Sequence, residues 1–128
     1  MKRIRQSFLH AWHGLLHALE RERNLRTFAI VDALVLFLGA YLHLLIWEWL
    51  AVIIAGGIFL CTELLNTALE RTVDVIDENR KIAGGAGFHA GLKQAKDVGA
   101  SASLIALILN IVVIVMVLWP YVGIFVKK

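Results

Sequence analysis

Three long apolar stretches dominate the pattern of hydrophobic and polar positions along the chain. Each holds about the 20 residues that an α-helix needs to cross the hydrocarbon core of a bilayer. Trp47, Glu48 and Trp49 separate the first two stretches, and so short a turn predicts an antiparallel hairpin. Pro120 interrupts the third stretch near its end. The pattern therefore predicts three membrane-spanning helices, over about residues 27–47, 50–70 and 98–119.

A different pattern precedes the first apolar stretch. Over residues 4–24, apolar side chains such as Phe8 and Trp12 fall on one broad helical face, while His13 and Glu20 fall on the other. A helix with this pattern lies in the interface between membrane and water. The predicted fold class is an all-α membrane protein, in which an N-terminal interfacial amphipathic helix precedes three transmembrane helices in a single domain covering the whole chain.

Composition agrees with a membrane protein and argues against other classes. The chain has 128 residues, of which 59% are hydrophobic, and its mean hydropathy of +0.74 is too high for a soluble core of that size. A net charge of +3 would suit nucleic acid in a soluble protein, but the basic residues flank the apolar spans, so we expect no nucleic-acid partner. Cys61 is the one cysteine, which excludes an intrachain disulfide.

The basic residues also predict how the chain is oriented in the membrane. Eleven of the 13 lysines and arginines lie before residue 27 or between Arg71 and Lys96, and the other two are Lys127 and Lys128. Basic residues favour the cytoplasmic side. We therefore expect a cytoplasmic N-terminus and a cytoplasmic loop over residues 77–97.

The second predicted span carries polar residues at a depth where lipid is expected. Glu63, Asn66, Glu70 and Asp74 fall within a sector of roughly 80° on a helix that turns by about 100° per residue. An ionised carboxylate at lipid depth is costly unless it is paired, hydrated or bound to a metal. These four residues, here called the polar stripe, are therefore the candidate site. The alternative is a helix end that emerges into water with ordinary interfacial charges.

These residue types suit phosphoryl transfer at a membrane surface. Glu22, which ends the interfacial helix, and Glu70 could together hold Mg²⁺, which takes one or two carboxylates with phosphate and water oxygens. Lys96 could bind phosphate oxygens, although Lys96 and Asp97 could also be a plain pair of helix-flanking charges. Glu63 lies deeper and could accept a proton from a lipid hydroxyl.

Three further features each have two interpretations. Asp32, early in the first span, either faces the bundle or the near interface, or takes part in the site. His10, His13 and His17 share a helix face and either bind a transition metal or, as we favour, are ordinary interfacial histidines. The glycine-rich residues 84–91 lack the Gly-Lys-Ser/Thr ending of a P-loop, so we favour a mobile loop over a phosphate cradle.

Three segments carry a family resemblance: Glu22-Arg-Asn-Leu-Arg26, Glu63-Leu-Leu-Asn-Thr-Ala-Leu-Glu70 and Ala95-Lys-Asp97. Together they resemble the small integral-membrane diacylglycerol kinases and undecaprenol kinases of prokaryotes. The resemblance implies a homotrimer in the bacterial cell membrane, with a surface helix and three transmembrane helices in each subunit. It also implies active sites that are shared between neighbouring subunits.

The resemblance further implies roles for individual residues. Glu63 corresponds to the catalytic base, and Glu22 with Glu70 corresponds to the magnesium pair. Arg3, Glu63 and Ala100 correspond to contacts with the lipid, although Ala100 stands where some members have serine. The implied nucleotide contacts are Arg3, His10, Glu22, Asn66, Glu70, Asp74, His89, Lys96 and Asp97.

We therefore predict an enzyme that uses ATP and Mg²⁺ to phosphorylate a membrane lipid alcohol. The Glu-Arg-Asn-Leu-Arg segment and the Ile-Trp-Glu-Trp turn look more like the undecaprenol kinase branch, so undecaprenol is the expected substrate and diacylglycerol the alternative. A small proton-coupled transporter would explain Glu63 but would leave Glu22, Glu70 and Asp74 without a shared purpose. A regulatory membrane subunit without catalysis is the third possibility.

Overall fold

The structure is a computed structural model that describes residues 2–123, and these residues form four α-helices and a short 3₁₀ helix. The all-α class is as predicted, and the second, third and fourth helices are long and apolar enough to cross a membrane. Lys127 and Lys128, which entered the topology argument, lie outside the described residues. The elements are α1 at Lys2–Arg21, α2 at Arg23–Leu42, α3 at Ile46–Ile82, α4 at Ala90–Leu118 and the 3₁₀ helix at Trp119–Tyr121.

A single residue separates α1 from α2. Glu22 has an extended backbone, with φ −100° and ψ 109°, and this conformation interrupts the helical path. On α1 nearly every side chain is exposed in the single chain, including the apolar Ile4, Phe8 and Trp12, and Ala18 is its one buried residue. The break places the Glu22 carboxylate at the junction of the two helices, where it can reach α3.

The turn between α2 and α3 comes earlier than predicted. His43 ends α2 in the left-handed region, with φ 55°, and α3 begins at Ile46, so the predicted first span of residues 27–47 runs past the end of its helix. The turn is hidden in the sequence because Leu44 and Leu45 are as apolar as the helices. Glu48 stabilises the start of α3: its Oε2 accepts hydrogen bonds from the Leu45 backbone N–H and from Tyr121 Oη, both at 2.7 Å.

The segment between α3 and α4 is shorter than the predicted loop. The sequence predicted a loop over residues 77–97, but α3 continues to Ile82 and α4 begins at Ala90, so the non-helical part covers residues 83–89. The polar residues at the end of α3 support the helix, because Asp77 pairs with Arg80 at 3.3 Å and with Lys81 at 2.6 Å within one turn.

Packing is closest between α3 and α4. Leu42, Val52 and Val117, which come from α2, α3 and α4, belong to one buried cluster. Elsewhere the Phe28 ring of α2 meets the Phe59 ring of α3 edge to face, with centroids 4.8 Å apart. Many other large apolar side chains are exposed, as expected for helices whose surroundings are lipid or neighbouring helices rather than water.

Candidate active site

The polar stripe of α3 opens onto a cavity of about 310 Å³ between α2, α3 and α4. Three of its four residues, Glu63, Asn66 and Glu70, line this cavity, and so does Ala100 of α4. We call it the stripe cavity. The structure thus brings together the predicted base, one predicted metal ligand and one predicted lipid contact. Its other lining residues are Asn24, Phe28, Phe59, Ser103, Leu104 and Leu107.

Glu63 has a polar partner that the sequence analysis did not identify. The Ser103 hydroxyl of α4 donates a hydrogen bond to Glu63 Oε2. Ser103 is 5% exposed, whereas Glu63 is only partly buried. The sequence contained one signal, since Ser103 is a polar residue in the apolar stretch of α4. Which acid it would meet depends on how α4 is rotated against α3.

Asn66 and Glu70 interact one turn apart on α3. Asn66 Nδ2 donates to Glu70 Oε1 at 3.4 Å, while Asn66 Oδ1 is buried and has no hydrogen-bond partner among the described residues. Gly99 of α4 allows this close packing: an added Cβ there would lie 2.7 Å from Asn66 Oδ1 and 2.7 Å from Leu69 Cδ2. Asn66 can therefore take this position because Gly99 has no side chain.

Glu22 lies at a different cavity from Glu70 in the single chain. Its Oε1 forms an ion pair with Arg71 Nη2 at 2.9 Å, and both residues line a more open cavity of about 680 Å³ together with Asp74. Within residues 2–123 no three His, Cys, Asp or Glu side chains are grouped as a metal site. The two predicted magnesium ligands thus line different cavities in one chain, and Arg71 is a partner that the sequence analysis missed.

Lys96 connects the start of α4 to the polar stripe. Its Nζ lies 2.9 Å from Asp74 Oδ1, and its side chain is 29% exposed, against 60% for Asp74. The neighbouring Asp97 is exposed, and its backbone carbonyl accepts a hydrogen bond from Ser101 Oγ at 2.7 Å. Lys96 therefore faces α3, whereas Asp97 faces outward.

The three remaining predicted contacts lie outside both cavities. Arg3 and His10 are exposed on α1. His89 is also exposed and caps the start of α4, where its Nδ1 accepts a hydrogen bond from the Gly91 backbone N–H at 3.1 Å. In the single chain these residues are not part of the same arrangement as Glu63 and Glu70.

The glycine-rich segment before α4 surrounds a guanidinium group. Arg80 Nη2 donates a hydrogen bond to the carbonyl oxygen of Gly87, and Nη1 donates to that of Ala86 at 3.5 Å. A phosphate cradle requires backbone N–H groups that point inward, and here carbonyl oxygens point at a cation. In this structure the segment therefore presents carbonyl oxygens to Arg80 at these two positions.

Asp32 faces the bundle and not the candidate site. Its Oδ1 accepts a hydrogen bond from Asn110 Nδ2 of α4 at 3.1 Å. A cavity of about 210 Å³ adjoins it, lined otherwise by glycines and apolar residues, and none of its lining residues belongs to the stripe cavity. Within one chain Asp32 therefore lies as the first of its two interpretations expects.

Comparison with known proteins adds a family and named relatives. A family model described as prokaryotic diacylglycerol kinase matches residues 9–118. The undecaprenol kinase of Bacillus subtilis (strain 168) is 32% identical over 121 residues, which cover 94% of this chain and 91% of that protein. A diacylglycerol kinase of Synechocystis sp. is 33% identical over 107 residues, covering 84% of this chain and 57% of that protein. The diacylglycerol kinase of Escherichia coli (strain K12) is 27% identical over 121 residues, covering 94% and 93%.

Proposed function

Because this chain belongs to the prokaryotic diacylglycerol kinase family and is a lipid kinase, we propose that it transfers the γ-phosphoryl group of ATP to undecaprenol. The observation that carries the proposal is the stripe cavity, in which Glu63 lies with Asn66 and Glu70. Undecaprenol is favoured because the Bacillus subtilis relative, named undecaprenol kinase, is 32% identical over 94% of this chain, whereas the Escherichia coli diacylglycerol kinase is 27% identical over the same share. Diacylglycerol is the second candidate, because the relatives from Synechocystis and Escherichia coli are named diacylglycerol kinases.

Glu63 is the proposed general base. Its carboxylate borders the stripe cavity beside apolar residues such as Leu104 and Leu107, which would accommodate the first part of a lipid chain. As the lipid hydroxyl oxygen bonds to the γ-phosphorus, its proton passes to Glu63 and the bond from phosphorus to the ADP oxygen breaks. Base catalysis of this kind contributes roughly 10²- to 10⁴-fold to a rate.

Glu70 and Glu22 are the proposed ligands of Mg²⁺. The carboxylate of Glu70 fits a hard cation. The neighbouring Asn66 donates its Nδ2 to Glu70 Oε1, and its buried amide oxygen, which lies against Gly99, would have to turn to reach the same cation. When bound, Mg²⁺ would neutralise charge on the ATP phosphates. Arg71 holds Oε1 of Glu22, so Oε2 is the oxygen that Glu22 would offer to the cation.

Lys96 is the proposed contact for phosphate oxygens. Its ammonium group is a compact positive charge, and Asp74 fixes that charge beside the polar stripe. ATP would then extend from the stripe cavity toward the more open cavity of Glu22 and Asp74. The family resemblance supports further nucleotide contacts at the exposed residues Arg3, His10, His89 and Asp97, and contacts of Arg3 and Ala100 with the lipid.

We propose that the active unit is a homotrimer with active sites between subunits. Two observations support it: Glu22 and Glu70 line separate cavities in one chain, and α4 exposes apolar side chains such as Ile105, Ile108 and Val112. The exposed apolar face of α1 supports a position in the membrane interface. Eleven basic residues lie before residue 27 or between Arg71 and Lys96. They support a cytoplasmic N-terminus and a cytoplasmic active site in a bacterial plasma membrane.

The test is phosphoryl transfer from radiolabelled ATP by the purified protein in lipid vesicles. Undecaprenol and diacylglycerol are offered in parallel at equal mole fractions, with and without Mg²⁺. We expect faster labelling of undecaprenol, a requirement for Mg²⁺, and weaker Mg-ATP binding by Glu70→Gln. Preferential labelling of diacylglycerol would replace the proposed substrate with the second candidate. A wild-type protein that labels neither lipid would point to transport or to a regulatory role.

A further inference from the structure

We infer that Ser103 is a positioning residue for Glu63: its hydroxyl holds Oε2 so that Oε1 is directed at the lipid hydroxyl. The inference rests on the proposed function, because it assumes that Glu63 is the base. The observation behind it is the hydrogen bond that joins Ser103 of α4 to Glu63 of α3 at the wall of the stripe cavity.

The hydroxyl of Ser103 has an unusual partner for a residue inside a helix. A serine or threonine in a helix commonly donates to a backbone carbonyl of its own preceding turn. Ser7, Thr27, Thr72 and Ser101 all do so in this structure, each to the carbonyl four residues earlier. Ser103 instead donates to a side chain on another helix. Its hydroxyl is therefore used to connect α4 to the base.

The bond constrains one half of the carboxylate. Glu63 has several rotatable bonds, and no other side-chain hydrogen bond to it occurs within residues 2–123. Fixing Oε2 removes most of the freedom of the carboxylate to rotate away from the cavity. Loss of positioning lowers the rate of the chemical step, since small displacements of a reacting group can cost up to about 100-fold. Binding of ATP at the other end of the stripe does not depend on this bond.

The hydrogen bond between Ser103 and Glu63 lies in a closely packed part of the bundle. Ser103 is 5% exposed, and Gly99, one turn earlier on α4, allows that helix to approach Asn66 and Leu69 of α3 closely. A hydroxyl with so little exposed surface has few competing partners. The carboxylate is thus held from a buried and closely packed part of α4, while its other oxygen remains free of side-chain partners in the described part of the chain.

The test compares four variants in the same vesicle assay. Ser103→Ala removes the donor, Ser103→Cys nearly keeps the volume but donates weakly, and Ser103→Thr keeps the hydroxyl. Ser101→Ala is the matched control, since Ser101 is exposed on the same helix and bonds only its own backbone. For each variant, kcat, the KM for ATP, the KM for lipid and the thermal unfolding temperature are measured.

We expect Ser103→Ala to lower kcat by roughly 10- to 100-fold with an unchanged KM for ATP. Ser103→Thr should recover most of kcat, Ser103→Cys should fall between them, and Ser101→Ala should match the wild type. A purely structural role predicts that kcat follows the unfolding temperature rather than the presence of the hydroxyl, and this result would overturn the inference. So would a raised kcat and a lowered lipid KM in Ser103→Ala, because Ser103 would then be competing with the lipid hydroxyl.

The experiments distinguish a failure of the Ser103 inference from a failure of the proposed function. A wild-type protein that transfers no phosphate to either lipid overturns the proposed function and this inference together. An active wild type that loses turnover in Glu63→Gln but not in Ser103→Ala overturns the inference alone. If Ser103→Ala does not fold, the comparison of Ser103→Cys with Ser103→Thr decides, because both keep a side chain that fills the site.

Discussion

Glu63 and Asp32 are both acids inside long apolar helices, and each accepts a hydrogen bond from α4. Ser103 contacts Glu63 and Asn110 contacts Asp32. Ser103 and Asn110 are seven positions apart, so they lie about two turns apart on the same face of α4. Each acid is therefore joined to the same helix by a similar bond, at a different level of the bundle.

The surroundings of the two acids differ. Glu63 borders a cavity of about 310 Å³ that also holds Asn66 and Glu70, whereas Asp32 borders one of about 210 Å³ whose other residues are apolar or glycine. Asn110 is 3% exposed, and Gly56 of α3 packs directly against the Asp32 carboxylate. Further polar groups thus converge on Glu63, the proposed base, whereas Asp32 connects α2 to α4.

The largest expected effect is a difference in turnover between variants of Glu63 and Asp32. Glu63→Gln should lower kcat by roughly 10²- to 10⁴-fold, equal to about 3–5 kcal/mol of barrier, because the amide cannot accept the proton. Nucleotide binding should persist. Asp32→Asn is the matched control and should keep near wild-type turnover, measured in vesicles with saturating ATP. Equal losses in the two variants would remove the distinction between the acids.

The next effect tests the packing of Gly99 against the polar stripe. Gly99→Ala would place its Cβ 2.7 Å from Asn66 Oδ1, so Asn66 must move away from Glu70 or the helices must separate. Overpacking of this kind costs roughly 1–3 kcal/mol. We expect a raised KM for Mg-ATP that exceeds any change in the KM for lipid. Gly57→Ala is the control, since a Cβ there meets nothing within 4 Å.

A smaller effect tests the hydrogen-bonded pair of Asp32 and Asn110. Asn110→Ala leaves the Asp32 carboxylate without its partner, and we expect a loss of about 1–2 kcal/mol in the free energy of unfolding, measured in mixed micelles. The turnover of the folded fraction should be unchanged. The double variant Asp32→Val with Asn110→Leu should recover stability, because neither polar group is then left unpaired. A double variant less stable than Asn110→Ala would contradict this account.

The smallest effect compares two adjacent glycines of α3. An alanine Cβ at Gly56 would lie 3.3 Å from Asp32 Oδ2, whereas one at Gly57 would meet nothing within 4 Å. Alanine is the better helix former by up to about 1 kcal/mol, so Gly57→Ala should be neutral or slightly stabilising. We expect Gly56→Ala to be less stable than Gly57→Ala in the same unfolding assay. The reverse order would indicate that Asp32 is not packed against α3.

Features that repeat along one helix were predictable. Glu63, Asn66 and Glu70 line one cavity because residues three and seven positions apart share a face of an α-helix. The ends of the elements were less predictable. The turn at residues 43–45 is mostly apolar, so hydropathy placed it too late in the chain. The charged residues after Asp77 pair within a helix, so the predicted loop was longer than the non-helical segment.

The sequence by itself determined the helical class, the three apolar spans and the polar face of α3, because each follows from length, hydropathy and a fixed helical period. Only the tertiary structure decided which residues meet across helices: Ser103 with Glu63, Asn110 with Asp32, and Arg71 with Glu22. Such pairs depend on the rotation and register of one helix against another. Those are fixed by close packing at residues such as Gly56 and Gly99, and not by any periodicity in the chain.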